Sequence, residues 1–278
     1  MGINQETKIK LHSVILELLD EFVRICEENN LIYFLTAGTL LGAVRHKGFI
    51  PWDDDIDVAM PRNDYEKFLD LYENVKETNY YVLSYKTQNR AGNFCKHFAK
   101  FCKKDTVFAE SYRPSDSYTG IFIDIFPFDN CVYFFAPLQT ILIKFFLKLY
   151  RIKKNATLTK KKKKLFIARI FSSFFPIKLI EYMHKKLYLL FNKNKTKHIS
   201  FFSGRYGYKK ETHKYDVVFP LSKVLFEGKY YNAPGNYDSF LKTLYGNYME
   251  LPPVEERHTH SHEYIVFDDK EIANERQN

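Results

Sequence analysis

Four carboxylates within five residues are the feature that most limits what this chain can fold into. The run Asp53-Asp54-Asp55-Ile56-Asp57 concentrates like charge, which destabilises a folded protein unless a cation neutralises it. Polar and apolar residues alternate from Asp55 to Met60, which predicts a strand with Asp55 and Asp57 on one face. Two adjacent carboxylates suit Mg²⁺, which completes its shell with water and substrate phosphates. Asp-x-Asp alone is weak evidence, because many acidic loops contain it.

The residues before this acidic run predict the rest of the site. The apolar segment from Leu31 to Thr36 predicts a buried strand, Ala37-Gly38-Thr39 a turn, and Leu40 to Arg45 a short helix. Small residues at a helix N-terminus offer backbone N–H groups to phosphate oxygens. A strand, a Gly-Thr turn, a helix and an Asp-x-Asp strand together describe the nucleotidyltransferase fold. We therefore predict an α+β protein with a nucleotidyltransferase-like mixed sheet core flanked by helices.

A third carboxylate is predicted at Asp124. It lies between Ile123 and Ile125 in an apolar strand from Gly120 to Phe126, where a charge has no packing role. Nucleotidyltransferase-type sites commonly take a third carboxylate from a neighbouring strand. The alternative is a structural aspartate held by a salt bridge.

The positive charge of the chain is regional. Between Lys144 and Lys214 there are 21 Lys and Arg residues and two acidic ones, a local charge of +19 in a chain whose total is +9, which leaves −10 elsewhere. A nucleic-acid binder would place positive charge around its reactive groove, whereas here the acidic motif and the basic block are separate. We predict an anionic membrane surface as the partner, and no nucleic acid.

The basic block is embedded in apolar helical sequence. The segment from Phe134 to Tyr150 is mostly apolar but shorter than the ~20 residues that span a bilayer. Leu165 to Phe191 continues the apolar pattern with interspersed Lys, which is typical of helices at a membrane interface. A helical subdomain packed on the core is the alternative. The predicted organisation is a catalytic core at 1–133, a basic, apolar helical insertion at 134–214, and a C-terminal part at 215–278 that completes the catalytic domain.

The N-terminus and the cysteines predict the compartment. Met1 to Lys10 lack the apolar stretch and cleavage site of a secretory signal. The four cysteines show no C-x-x-C pairing and predict reduced core thiols. We expect a cytoplasmic protein, peripheral on the inner face of the membrane.

A long block carries a family resemblance. Residues from Thr36 to Asp57 closely resemble the signature of the LicD family, the phosphocholine transferases related to fukutin, and the resemblance resumes at Gly120 to Asp129, Phe226 to Gly228 and Tyr245 to Pro253. It implies Mg²⁺-dependent transfer, with Mn²⁺ as the alternative ion, of phosphocholine or a related phospho-alcohol from a CDP-linked donor. The implied acceptor is a hydroxyl of a cell-surface glycan such as lipopolysaccharide, teichoic acid or capsule, presented on a lipid carrier.

Position by position, the resemblance implies roles for the acidic and small residues. Asp55 and Asp57 would bind Mg²⁺, and Asp124 would complete the acidic set. Gly38 and Thr39 would cradle donor phosphates. In the implied reaction a sugar hydroxyl attacks the distal phosphorus of CDP-choline in line and CMP leaves. Asp124, or else Asp57, would accept the hydroxyl proton.

The resemblance also assigns the cationic and aromatic residues that follow the turn. Arg45 and Lys47 would face the diphosphate, where a cation stabilises charge on the leaving phosphate, although Arg and Lys are as common at surface turns. A choline ammonium would need an aromatic cage, for which Trp52, Tyr112 and Tyr118 are the candidates.

A histidine cluster near the C-terminus is a second candidate site. Arg257, His258, His260 and His262 would place three imidazoles on one side of a strand. A metal site there lacks a clear fourth ligand, so we predict that His260 and its neighbours bind phosphate or acceptor. A solvated tail is the alternative.

Two other function classes remain open at this point. A metal-dependent glycosyltransferase that uses a nucleotide sugar also needs Asp-x-Asp, but the Gly-Thr turn before the acidic strand does not support it. A non-catalytic scaffold at the membrane surface would explain the basic block and leave the clustered aspartates unexplained.

Overall fold

The computed structural model describes residues 4–73, 78–87, 98–110, 119–153, 173–257, 262–267 and 272–274. The chain divides into two units, and each is described by itself. Unit 1 comprises residues 1–127 and 216–278, and unit 2 comprises residues 128–215. The predicted boundaries at 133/134 and 214/215 stay a prediction.

The elements follow one another along the chain in three groups. The first group contains α1 (Gln5–Glu28), β1 (Phe34–Leu35), α2 (Ala37–His46), β2 (Asp57–Pro61), α3 (Arg62–Glu73), β3 (Tyr80–Leu83), β4 (Ala99–Lys103), β5 (Val107–Glu110) and β6 (Phe122–Cys131). The second contains α4 (Ala136–Lys153), α5 (Ile177–Leu189), β7 (His198–Ser200), α6 (Tyr208–Glu211) and β8 (Thr212–Lys214). The third contains α7 (Tyr215–Val218), β9 (Ser222–Phe226), β10 (Lys229–Ala233), α8 (Tyr237–Tyr245), a 3₁₀ helix (Val254–Glu256), β11 (His262–Val266) and β12 (Ile272–Asn274).

Unit 1 is built on a mixed sheet with the strand order β1-β2-β6-β4-β3. Strand β4 is antiparallel to β6, and this register sets Lys100 opposite Asp124. A second sheet joins β5 to β11 and β12, and β9 pairs with β10 as a hairpin. The α+β class predicted from the sequence is confirmed. Strands from distant parts of the chain thereby become neighbours around the acidic run.

Helix α1 supplies one wall of the unit 1 core. Its buried apolar residues, from Leu11 to Cys26, recur at helical spacing. The helix begins earlier than the apolar pattern because the Asn4 side chain accepts a hydrogen bond from the Thr7 N–H and caps the first turn. Phe22 of α1 packs edge to face on Tyr33 and Phe68, at ring centroid distances of 5.6 and 5.2 Å.

The structure corrects two boundaries at the predicted site. Strand β2 begins at Asp57, so Asp55 precedes the strand and does not share a strand face with Asp57. The reason is that β1 is short: its ladder pairs Leu35 with Val58, and the Thr36 N–H then donates to the Asp57 carbonyl. Helix α2 begins at Ala37, so Gly38 lies in its first turn and not in a turn before it.

Helix α3 follows β2 directly and begins at Arg62. Arg62 forms an ion pair with Glu66, at 3.2 Å, one turn along the helix.

Unit 2 has a small core of its own. Strands β7 and β8 extend the end of β6, with Asp129 opposite Ser200, which is why β6 runs beyond the predicted end at Phe126. Helices α4 and α5 pack on each other, and the buried cluster consists of Cys131, Ala136, Ile143, Tyr188 and Phe202. No helix in the described part of the chain is both long and apolar enough to cross a membrane.

The cysteine prediction is confirmed where it can be followed. Cys26, Cys102 and Cys131 are buried free thiols, and Cys95 lies outside the described residues. Burial raises the pKa of the Cys131 thiol to about 12, which keeps it protonated.

Candidate active site

Asp57 is fixed by the first turn of α2. Its backbone N–H donates to the Thr39 hydroxyl at 2.7 Å, and its carboxylate accepts a hydrogen bond from the Gly38 N–H. Thr39 is itself buried. The Gly38 and Thr39 groups that the sequence assigned to donor phosphates therefore hold Asp57, and a phosphate-binding role for them stays a prediction.

Gly38 is required by the approach of a second carboxylate. A β-carbon at this position would lie 2.8 Å from Asp53 Oδ2 and 4.0 Å from Asp57 Oδ2. The preceding residue, Ala37, has φ 44°, a left-handed conformation that costs an alanine roughly 1–2 kcal/mol. A strained turn and a missing side chain thus let two carboxylates gather at the helix N-terminus, where its dipole favours negative charge.

The carboxylates of this region act on one another. Burial raises the pKa of Asp57 well above its ordinary value, and the negative charges of Asp55, Asp124 and Asp53 raise it further. The Gly38 N–H offsets part of this effect. Asp53, Asp55 and Asp124 therefore lie near enough to Asp57 for their negative charges to act on its carboxyl group.

Asp124 has a buried partner that the sequence did not identify. Lys100 of β4, whose side chain is 3% exposed, lies 3.2 Å from Asp124 Oδ1. Its ammonium is also 3.0 Å from the centroid of the Phe122 ring. Burial raises the pKa of Asp124 to about 6, although Lys100 opposes the shift, and Asp55 and Glu110 add to it. Asp124 therefore combines the salt bridge of the structural alternative with a position in the acidic set.

A cavity of about 110 Å³ opens beside these groups. Its polar lining consists of Asp54, Asp55, Lys100, Glu110 and Asp124, and apolar side chains of α1 and of the strands complete the walls. Four carboxylates against one ammonium give the cavity a net negative charge, which favours cationic groups.

Helix α1 holds the acidic loop in place through two side chains that the sequence analysis missed. The Lys8 ammonium donates to the Pro51 carbonyl at 2.7 Å, and His12 Nε2 donates to the Asp53 carbonyl at 3.0 Å. The His12 ring stacks on Phe49 at 3.7 Å. Burial lowers the pKa of His12, so the neutral ring with its proton on Nε2 matches the observed bond.

The predicted cationic residues lie at the other end of α2. Arg45 Nη1 donates to the carbonyls of Tyr248 and Glu250, at 2.9 and 3.4 Å. Lys47, at φ 62°, ends the helix, and its ammonium donates to the Val44 carbonyl at 3.3 Å. The guanidinium of Arg257 lies over the Trp52 ring, 4.9 Å from the ring centroid.

Residues Phe226 to Gly228, which carry part of the LicD resemblance, contact the end of α2 and the loop after it. Glu227 Oε1 accepts a hydrogen bond from the Phe49 N–H at 3.0 Å, and the Glu227 N–H donates to the Lys47 carbonyl. A β-carbon on Gly48 would lie 2.1 Å from Glu227 Oε1, so glycine is the residue that leaves room for this contact. Segments that are far apart in the sequence and share the LicD resemblance therefore contact each other in the fold.

The assignment of Mg²⁺ to Asp55, Asp57 and Asp124 stays a prediction. Among the residues that the structure describes, no group of three or more His, Cys, Asp or Glu side chains is arranged to hold a metal ion. The chemistry of the donor set nevertheless fits Mg²⁺: Asp53, Asp55 and Asp124 all raise the pKa of Asp57 by repulsion, and a divalent cation would relieve that repulsion.

Some predicted residues lie outside the described part of the chain. These are Tyr112, Tyr118, His258 and His260. The backbone of His262 pairs with Glu110 between β11 and β5. The predicted roles of the histidines and of the two tyrosines stay predictions.

Comparison with known proteins agrees with this arrangement. Residues 30–141 match the family model described as LicD/FKTN/FKRP, nucleotidyltransferase domain. That segment contains the acidic run, helix α2 and Asp124.

The full-length match is more specific. The chain is 30% identical to the lipopolysaccharide cholinephosphotransferase LicD of Haemophilus influenzae over 258 residues, which are 89% of this chain and 93% of that protein. This chain belongs to the LicD family. Shorter matches are to uncharacterised proteins of Rickettsia typhi, 30% identical over 41% of this chain and 33% of that protein, and of Rickettsia prowazekii, 37% identical over 29% of each.

Proposed function

We propose that this chain is a transferase that moves phosphocholine, or a related phospho-alcohol, from a CDP-linked donor to a hydroxyl of a cell-surface glycan. The observation that carries the proposal is the acidic cluster at the N-terminus of α2, in a chain similar over 89% of its length to a lipopolysaccharide cholinephosphotransferase. The strand, helix and acidic strand around it support a nucleotidyltransferase-like fold for unit 1.

In this proposal Asp55, Asp57 and Asp124 would hold Mg²⁺, which when bound neutralises the donor diphosphate and the charge that develops on the leaving CMP. The residues of the chain supply positioning. The Gly38 N–H and Thr39 hydroxyl hold Asp57, and Lys8 and His12 hold the acidic loop. Asp124 would accept the proton of the attacking hydroxyl, because a carboxylate beside the metal is well placed to take it.

The test is a donor panel. Purified protein, Mg²⁺ and delipidated lipopolysaccharide are incubated with CDP-choline, CDP-ribitol, CDP-glycerol or nucleotide sugars, and the released nucleotide is measured. We expect CMP from CDP-choline or another CDP-alcohol. Release of nucleotide from a nucleotide sugar alone would establish the glycosyltransferase alternative, and no turnover of any donor would favour a scaffold.

We also infer that unit 2 binds an anionic membrane surface at the cytoplasmic face, where lipid-linked glycans are presented. At and near the start of α4, Phe134, Leu138, Ile141 and Phe145 are 85%, 54%, 64% and 38% exposed. Their spacing of four, three and four residues places them on one helical face, away from the buried face that contains Ile143.

The same helices carry the charge for such a surface. Lys144 and Lys148 follow the apolar face of α4, and α5 adds Lys178, Lys185 and Lys186 beside the exposed Leu179 and Tyr182. Exposed apolar residues with flanking lysines are typical of helices at an anionic interface. The polylysine run from Lys160 to Lys164 lies outside the described residues.

A further inference from the structure

Two guanidinium groups hold the same short C-terminal segment. Arg45 binds the carbonyls of Tyr248 and Glu250, and Arg257 Nε donates to the Pro252 carbonyl at 3.0 Å. Burial, and after it the positive charge of Arg257, lowers the pKa of Arg45. Two guanidinium groups from distant parts of the sequence therefore bind the same short segment.

The positive charge of the two guanidinium groups is not compensated by acidic side chains in the described part of the chain. Within the described residues, neither Arg45 nor Arg257 forms an ion pair with a carboxylate, although Glu255 and Glu256 directly precede Arg257. Two guanidinium groups on one segment, with no carboxylate paired to either, favour an anion such as phosphate as a ligand.

The Arg257 side chain is oriented for such an anion. Its Nε is used by the Pro252 carbonyl, and its plane is supported by Trp52 at 4.9 Å. Its two terminal nitrogens make no hydrogen bond to the described residues. A guanidinium that is fixed through Nε and an aromatic ring presents these nitrogens as a planar fork, which matches two oxygens of one phosphate group.

The role of Arg45 differs from that of Arg257. Its Nε donates to His46 Nε2 at 2.9 Å, and its Nη1 is used by the segment at Tyr248 and Glu250. Arg45 therefore positions the segment that carries Arg257. Trp52 directly precedes Asp53 in the chain, so consecutive residues connect the Arg257 fork to the acidic run, and their Cα atoms are about 3.8 Å apart. The proposed function puts the donor diphosphate at this run, so we take the anion to be a phosphate of the nucleotide.

We propose that Arg257, supported by Trp52 and positioned by Arg45, binds the nucleotide phosphate that leaves with CMP. The proposal rests on the proposed function for the identity of the nucleotide. It gives a specific role to Arg257, which the sequence analysis grouped with the neighbouring histidines as a cluster that binds phosphate or acceptor.

The test measures binding and not turnover. The dissociation constants of CMP, cytidine and glucose 6-phosphate are measured by calorimetry for wild type, Arg257→Gln and Arg257→Lys. Arg24→Gln is the matched control, because Arg24 is an exposed arginine paired with Glu21 and Glu28 on α1. Thermal unfolding of each variant verifies the fold.

We expect Arg257→Gln to weaken CMP binding at least about tenfold and Arg257→Lys to weaken it less, since lysine keeps the charge and loses the fork. Cytidine binding should not change, and Arg24→Gln should match wild type. Binding of CMP to Arg257→Gln within about twofold of wild type would overturn the proposal. So would an Arg257-dependent loss confined to glucose 6-phosphate, or a folded wild type that binds neither phosphate.

The experiments distinguish failure of the Arg257 proposal from failure of the proposed function. If wild type transfers phosphocholine while Arg257→Gln binds CMP normally, only the Arg257 proposal fails. If CMP binds through Arg257 and no phosphocholine is transferred, only the proposed function fails.

Discussion

The acidic cluster of unit 1 and the apolar face of α4 in unit 2 are both unfavourable in an isolated chain, for opposite reasons. At the first, carboxylates raise one another's pKa within a partly buried site. At the second, large apolar side chains face water, with Phe134 at 85% exposure. The kind of cost indicates the kind of partner: repulsion among carboxylates calls for a cation, and exposed apolar surface flanked by lysines calls for a lipid interface.

The largest effect is expected at the acidic cluster. Asp57→Asn or Asp55→Asn should lower phosphocholine transfer roughly a thousandfold, about 4 kcal/mol of transition-state stabilisation, because each removes a charge that would hold Mg²⁺. Asp70→Asn is the matched control, since Asp70 is an exposed aspartate paired with Lys86. The measurement is the rate of CMP release at saturating Mg²⁺. Wild-type turnover in either cluster variant would contradict the metal assignment.

A smaller effect is expected at Asp124, where the salt bridge and the acidic set meet. Asp124→Asn should lower the chemical rate roughly a hundredfold, the range of a lost general base, and change donor affinity much less. Single-turnover kinetics and donor binding separate the two quantities. An equal fall in rate and affinity would make Asp124 a binding residue only, and unchanged values would leave it a structural partner of Lys100.

Binding to liposomes tests the apolar face of α4. Changing Phe134, Leu138 and Ile141 to Ser should weaken binding to anionic liposomes at least roughly tenfold, whereas Ile9→Ser with Ile32→Ser, at exposed apolar positions of unit 1, should not. Changing Lys144 and Lys148 to Gln should remove mainly the salt-sensitive part, on the order of 1 kcal/mol per lysine. Equal sedimentation of all variants with neutral and anionic vesicles would argue for a packed helical subdomain.

Local patterns predicted the elements around the site better than they predicted its contacts. The helix over Leu11 to Cys26 and the lone charge of Asp124 follow from periodicity, and both are found in the structure. The alternation of polar and apolar residues predicted Asp55 on a strand face, because it does not show where strand pairing stops. In the structure, β1 is too short to extend the pairing with β2 beyond Asp57.

The missed residues depend on long-range pairing. Lys100 is a charged residue in an apolar strand, as Asp124 is, and this was the available signal that it has a specific role. The pairing of the two residues depends on the register of β4 on β6, which the sequence does not show. The Phe49 N–H meets Glu227, which lies 178 positions further along the chain. Spacing in the sequence carries no information on such contacts.

The pH dependence of stability sharpens the comparison at Asp124. The folded pKa of Asp124 is raised from 3.8 to about 6, so its contribution to the free energy of unfolding is fully present below pH 4 and is lost as the pH rises through about 6. The loss is on the order of 3 kcal/mol. The difference between metal-free wild type and Asp124→Asn in chemical denaturation should therefore change over that interval, while Glu211 in unit 2, with a pKa raised to about 7, affects both proteins alike. A pH-independent difference would show that the Asp124 pKa is not raised.

The most direct test of the account is the response of thermal unfolding to Mg²⁺ at neutral pH in wild type and Asp57→Asn. Without metal, Asp57→Asn should be at least as stable as wild type, because it relieves repulsion among the carboxylates. Mg²⁺ at a hundredfold excess over its dissociation constant should stabilise wild type by about 2.7 kcal/mol, a rise of roughly 5–10 °C at 2–4 °C per kcal/mol, and should leave Asp57→Asn nearly unchanged. The same Mg²⁺ response in both proteins, or none in wild type, would contradict the account.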